Sequence, residues 1–245
     1  MAQYLVFRLY GSLASWGLPA VGGDRQTGLA PSRSAILGFL GAALGIKRED
    51  EQKLVQLQQS ILIATKQIVP STLLRDFHTA QVPSTRKNVI HSTRRSELAE
   101  RDLNTVLSSR DYRCDAIWIV AIKLTEIPRY TLKQLQDALL KPVYILSLGR
   151  KSCPLSLPMM PQIVETEQLR DALDTQFPNI TTSDKADNYW FSANGWMTYF
   201  WEGNYQDIEG ENIMTLHPWD EPVNRQHWQF RQREMYQMSV KKEGE

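Results

Sequence analysis

The chain has 245 residues, a formal net charge of +1, and 42% hydrophobic against 22% charged side chains. That composition fits one large globular domain, or one domain with an appendage, and excludes a disordered chain. It also excludes a uniformly basic nucleic-acid binder, so any such surface must be a local patch.

Cys114 and Cys153 have no metal-type spacing. They argue against a disulfide framework and for a reducing cytoplasm. No apolar run is long enough to span a bilayer, and the first residues read as a strand rather than a leader. Residues 4–10, YLVFRLY, place Leu5, Phe7 and Leu9 on one strand face and Tyr4, Val6, Arg8 and Tyr10 on the other. Residues 11–30 hold six glycines or prolines and read as an irregular loop. A helix is predicted over 32–45, with Ser32 as N-cap, Ile36, Leu40 and Leu44 inward, and Gly45 as its stop. Gly38, Gly41 and Gly45 form a second stripe on it, free of side chains, where another backbone can approach closely.

Residues 47–60 read as a second amphipathic helix and 61–68 as a strand. DAIWIVAIKL, 115–124, is nearly all apolar, as a central strand covered on both faces should be. Thr131 with Gln134 predicts a capping box for a helix over 131–140, and VYIL, 143–146, reads as a further strand. The order β-α-β, β-α-β predicts an α+β fold, a ferredoxin-like or RRM-type βαββαβ sandwich.

The stretch between the strands at 61–68 and 115–124 is too long for a structureless loop and predicts a projecting arm. From Arg75 to Arg113 this arm carries a net charge of +3 in a nearly neutral chain. Beyond residue 155 the pattern gives a short strand in SLPMMPQIVE, a short helix in TEQLRDALD, a strand in the second half of the aromatic segment 188–205, and a closing strand within 226–239.

Three stretches carry candidate chemistry. In the first, Arg25, Thr27, Ser32, Arg33 and Ser34 gather at a helix N-terminus, an arrangement suited to phosphate. The competing reading is a well-capped helix whose arginines pair with carboxylates such as Asp24. No Gly-Lys-Ser/Thr follows the glycines, so this is not a P-loop. In the second, SLGRKSCP at 147–154, Gly149 beside Arg150 and Lys151 can receive a phosphodiester backbone or form a plain solvated turn. The third is RDFHTAQVPSTRKN at 75–88. There His78, with Lys87 and His91, has the residue types of a metal-independent ribonuclease, whereas a lone histidine in a basic arm more often binds or stacks. The aromatic run Tyr189, Trp190, Phe191, Trp196, Tyr199, Phe200 and Trp201 is read as packing a small sheet rather than as a base-stacking platform.

YLVFRLYGSLASWG, DRQTGLAPSRSAILGFLGAALGI, LLRDFHT, YRCDAIWIVAI and KPVYILSLGRKSCPL, in that order, resemble the CasD family. The resemblance covers residues 1–157, and the DEP…QF..RE.Y pattern at 220–236 extends it. It implies an RRM-like RAMP domain at 1–157 with a β-hairpin thumb at about 73–113, followed by a β-rich extension at 158–245. It further implies a non-catalytic subunit of the type I-E CRISPR complex Cascade that binds the 5′ handle of crRNA. Contacts would be made to the backbone subunit CasC and the large subunit CasA, with target DNA met only within the complex, and with no cofactor, metal or membrane. On that resemblance the RNA-binding set is Arg25, Thr27, Ser32, Arg33, Ser34, Arg75, His78, Arg86, Lys87, Arg94, Arg95, Gly149, Arg150 and Lys151. The alternative is a metal-independent endoribonuclease that processes crRNA precursor, as some relatives in other CRISPR subtypes are.

Overall fold

The computed structural model describes residues 1–20, 22–85, 89–191, 196–225 and 227–241. Strand β1 (Ala2–Tyr10) leads through a two-residue strand, β2 (Leu13–Ala14), and a long loop into helix α1 (Arg33–Ala43). Ser32 caps α1 by accepting from the Ala35 N–H at 3.2 Å. Helix α2 (Glu51–Ser60) runs directly into β3 (Ile61–Val69). The predicted arm is a twelve-pair antiparallel hairpin of β4 (Thr72–Pro83) and β5 (Leu103–Cys114), with the short helix α3 (Arg94–Leu98) between its strands. The chain re-enters the body as β6 (Ile117–Leu124) and then α4 (Leu132–Leu140), which carries the predicted Thr131–Gln134 capping box.

Strand β7 (Gln162–Thr166) completes the ferredoxin-like unit, whose strands lie in the order β7-β1-β6-β3, every neighbour antiparallel. The fourth strand of this unit is therefore β7, not the expected 143–146. The Val143 and Tyr144 N–H groups instead donate to the Ala43 and Ala42 carbonyls at 3.0 and 3.2 Å. They satisfy the unpaired C-terminal end of α1, which competes with strand pairing.

After α5 (Leu169–Leu173) and α6 (Asp184–Phe191), β8 (Trp196–Trp201) joins the free edge of β3. Further along lie β9 (Met214–Leu216), the hairpin β10 (Glu221–Asn224) with β11 (Gln229–Arg231), and β12 (Met235–Lys241). Strands β12 and β9 extend the sheet to β7-β1-β6-β3-β8-β12-β9. Residues on both sides of position 157 thus share one sheet, and the C-terminal extension is continuous with it.

Both faces of the central strands are covered, as the apolar run at 115–124 demands. On one face Leu5, Phe7, Trp118 and Val120 pack against Ile36 and Leu40 of α1 and Leu135 and Leu139 of α4. Tyr4, Val6, Ile119 and Ala121 meet Leu169 and Leu173 of α5 on the other. Tyr199 and Trp201 are buried here too, so this half of the aromatic segment is core, as expected. Trp16 meets Trp118 edge-on at 5.2 Å between ring centres, and Trp118 donates its indole N–H to the Leu29 carbonyl at 3.0 Å. These contacts set the loop before α1 onto the core.

Candidate nucleic-acid interface

Arg33 does not face solvent. It is buried, with its guanidinium 2.5 Å from Glu202 and 2.5 Å from Glu221, and it also donates to the Ile61 and Gln58 carbonyls. Its backbone N–H donates to Asp220 at 2.7 Å, and Arg233 closes the cluster on Asp220 and Glu202 at 2.6 and 3.2 Å. Burial raises the Glu202 carboxyl above the ordinary carboxylate range, and Arg33 and Arg233 oppose that rise. The arginine expected to bind phosphate is instead the hub of a buried ion network that joins α1 to β8 and β10. Thr27 is likewise structural, since it is buried and its hydroxyl accepts from the Trp16 N–H at 2.8 Å.

Arg25, unlike Arg33, is open to solvent. Its backbone runs along the outer edge of β5, donating to Ser109 at 2.8 Å and accepting from Asp111 at 2.9 Å. It bridges Arg110, which is also exposed, so two cations stand side by side at the thumb root. Behind them Arg75 grips the buried Asp111 carboxylate through two hydrogen bonds, at 2.8 and 3.0 Å. These bonds, first among the causes, hold the Asp111 carboxyl below its ordinary value. A lowered folded-state value means that the pair stabilises the thumb root above the unfolded carboxylate value of about 4. That stabilisation is lost as pH falls through the lowered value. Amide exchange at residues 109–113, followed across an acid series, should accelerate only there.

Arg150 stacks over Tyr112 at 4.8 Å and donates to the Asp111 and Arg25 carbonyls at 3.3 and 3.1 Å, tying the 147–154 turn to the thumb root. Lys151 is exposed beside it. Gly149 has φ +89°, and a Cβ there would stand 1.8 Å from the Ser15 carbonyl oxygen. Gly149→Ala should therefore cost about 1–3 kcal/mol in denaturant unfolding by forcing turn and loop apart.

On the thumb, His78 Nε2 lies 2.7 Å from the Asp76 carboxylate, and His91 lies 3.9 Å from Glu100. Arg94 pairs with Glu97 at 2.6 Å, and Arg95 is exposed on the same short helix. Arg86 and Lys87 lie outside the described residues.

Ser32, Ser34, Gly149 and Arg150 share one feature that the sequence reading left unconnected. They line a cleft of about 560 Å³ whose floor is the small-residue face of α1, with Gly38 and Gly41. Its far wall comes from residues missed in the sequence, namely Trp219, Arg225 and Trp228 around the β10–β11 hairpin, with Arg48 from the loop after α1. The signal was present in PWDEPVNRQHWQF, where Trp219, Trp228 and Phe230 flank Arg225 in a polar stretch. The buried Arg33 network holds this wall in place, since Asp220 and Glu221 belong to it.

Among known proteins, the family model described as CRISPR-associated protein (Cas_Cas5) matches residues 4–236. A relative from Escherichia coli strain K12, the CRISPR system Cascade subunit CasD, is 38% identical over 167 residues, covering 65% of this chain and 70% of the relative. Two solved structures share the fold. A chain of a CRISPR RNA-guided surveillance complex has a TM-score of 0.64 at 22% identity, over 98% of this chain and 90% of its own. A Cas protein crystal structure has the same score and identity, over 98% and 95%. The ferredoxin-like body, the thumb inserted between β3 and β6, and a match running almost from end to end lead to one conclusion: the chain belongs to the Cas5 family of CRISPR-associated proteins.

Proposed function

We propose that the protein is a non-catalytic, RNA-binding subunit of a CRISPR surveillance complex, and that it holds the 5′ handle of crRNA between the thumb root and the cleft over α1. The cleft is the observation that carries this reading. Arg48, Arg150 and Arg225 line it, two tryptophans flank it, and its floor is free of large side chains. A sugar-phosphate chain with unpaired bases needs that combination, cations for phosphate and aromatic faces for bases. Arg25 and Arg110 continue the positive surface to the thumb root. The thumb itself, long and exposed, suits docking against a neighbouring subunit of the backbone type, and the handle would lie beneath that contact.

The nuclease alternative is less well supported. RNA cleavage without a metal needs a base on the 2′-OH and a cation on the phosphate within hydrogen-bond reach. His78 stands beside Asp76, opposite Ser108, and the thumb arginines Arg75 and Arg94 are committed to Asp111 and Glu97.

Co-expression with a repeat-spacer array tests the binding reading. RNA recovered with the full chain and its partners should carry one defined 5′ handle. Recovery without RNA, or cleavage of labelled repeat RNA by the purified chain in EDTA, would count against the proposal. Within it, Arg25→Ala should weaken handle binding and lower the salt slope by about one.

A further inference from the structure

The chain keeps two interior helical glycines that its own packing does not require. A Cβ built on Gly38 would come no nearer than 3.9 Å to any neighbour, the Arg225 guanidinium, and one on Gly41 would sit 3.7 Å from Leu54. Glycine in a helix interior is destabilising relative to alanine. Here the space it leaves is the floor of the cleft.

Two observations identify what that space accepts. First, Arg225 and Arg48 lie together. Burial and then the like charge of Arg48 press the Arg225 guanidinium below its ordinary value, and only Glu221 opposes them. No ion pair to Arg225 is found among the described residues, and Glu221, the carboxylate that acts on it, is already paired with Arg33. Second, Trp228 stands 67% exposed on the cleft wall, with one ring face against the Arg48 guanidinium at 4.1 Å. An aromatic face backed by a cation is a stacking surface for a nucleobase, and two adjacent guanidiniums suit a phosphodiester.

We infer that the cleft over α1 is a single-nucleotide pocket. One unpaired base of the bound RNA stacks on Trp228, its phosphate lies between Arg48 and Arg225, and its ribose passes over Gly38 and Gly41. This rests on the RNA-binding reading above and names the part of the protein that holds a base rather than only the backbone.

The test uses the full chain, an RNA oligonucleotide of the handle sequence, and a set of the same RNA with one abasic position each. Trp228→Ala should weaken binding roughly 5- to 150-fold, the range of one lost stack, and Trp228→Phe should restore most of it. One abasic RNA should bind the unaltered chain as weakly, and on that RNA Trp228→Ala should cost nothing more. Gly38→Ala has room, so it should raise the melting temperature by about 2–4 °C, whereas Gly38→Leu should fold yet lose RNA affinity. Free mononucleotide binding as tightly as the oligonucleotide would overturn a pocket for the bound strand. Equal RNA affinity of Trp228→Ala and Gly38→Leu to the unaltered chain would overturn the pocket while leaving the RNA-binding reading intact. So would loss of protein-subunit assembly alone, which would make the occupant a protein segment. Absence of RNA binding by the unaltered chain would overturn the RNA-binding reading and the pocket with it.

Discussion

Arg33→Ala should be the most destabilising single change at the candidate interface, costing about 3–5 kcal/mol. The substitution leaves Glu202 and Glu221 buried beside one remaining arginine, Arg233, where two had balanced them. A melting-temperature loss of about 10 °C or more would follow in a chain of this size. The pH dependence separates this cause from simple loss of packing. Without Arg33 the largest opposition to burial is gone, so the Glu202 carboxyl rises further above its unfolded value. A carboxyl raised in the folded state binds more protons there than when unfolded, so stability falls as pH rises through that raised value. The variant should therefore recover part of its stability between neutral and mildly acid pH. The unaltered protein, whose network is intact, should recover less. Equal losses at both pH values would mean that the cluster contributes through shape and not charge. RNA affinity should fall with stability, because the same network seats the β10–β11 hairpin beside α1.

Shortening the thumb should have the opposite signature, with little effect on the fold and a large one on assembly. Residues 72–76 and 108–114 form the root. There Asp111 and Tyr112 are buried, and Ser109 and Asp111 hold the loop around Arg25. Further out the hairpin is exposed on most positions, with Phe77 and Leu107 largely uncovered. Joining Ala80 to Val106, which face each other across the hairpin, by a short Gly/Ser linker removes only the outer part. The melting temperature should stay within about 2 °C, since no core residue is lost. Co-purification with the other subunits of the complex should drop at least tenfold. Normal assembly of the shortened protein would show that the thumb does not dock a neighbour.

The sequence made local features legible and long-range ones not. Ser32, Thr131 and Gln134 act within a few residues of themselves, so both caps could be read directly. The arm was legible because a long, mostly polar stretch between two apolar strands has few ways to fold. Arg33 was misread because its neighbours in sequence, Ser32 and Ser34, look like a phosphate site, whereas its carboxylates are 169 and more positions away. Trp228 and Arg225 went unnoticed for the same reason. Their partners, Arg48 and the floor of α1, belong to the other end of the chain, so the aromatic residues around Arg225 could be seen in the sequence but not placed on a cleft. Residues 143–146 have strand composition, but the open carbonyl end of α1 was the nearer partner.

The seven-stranded sheet has a consequence for the order in which the protein can be built. Strand β3 pairs β6 on one side and β8 on the other. During synthesis the ferredoxin-like unit can close once β7 has emerged, but the far edge of β3 then stands bare until β8 arrives. Ala64, Thr65, Lys66 and Gln67, which later meet Trp201, Phe200, Tyr199 and Thr198, offer in that interval an open row of N–H and C=O groups to any other strand. The C-terminal segment therefore acts as an internal chaperone for that edge. Two separately made pieces divided just after β7, 1–167 and 168–245, should each be prone to aggregate, and mixing them should restore a soluble particle through the β3–β8 seam.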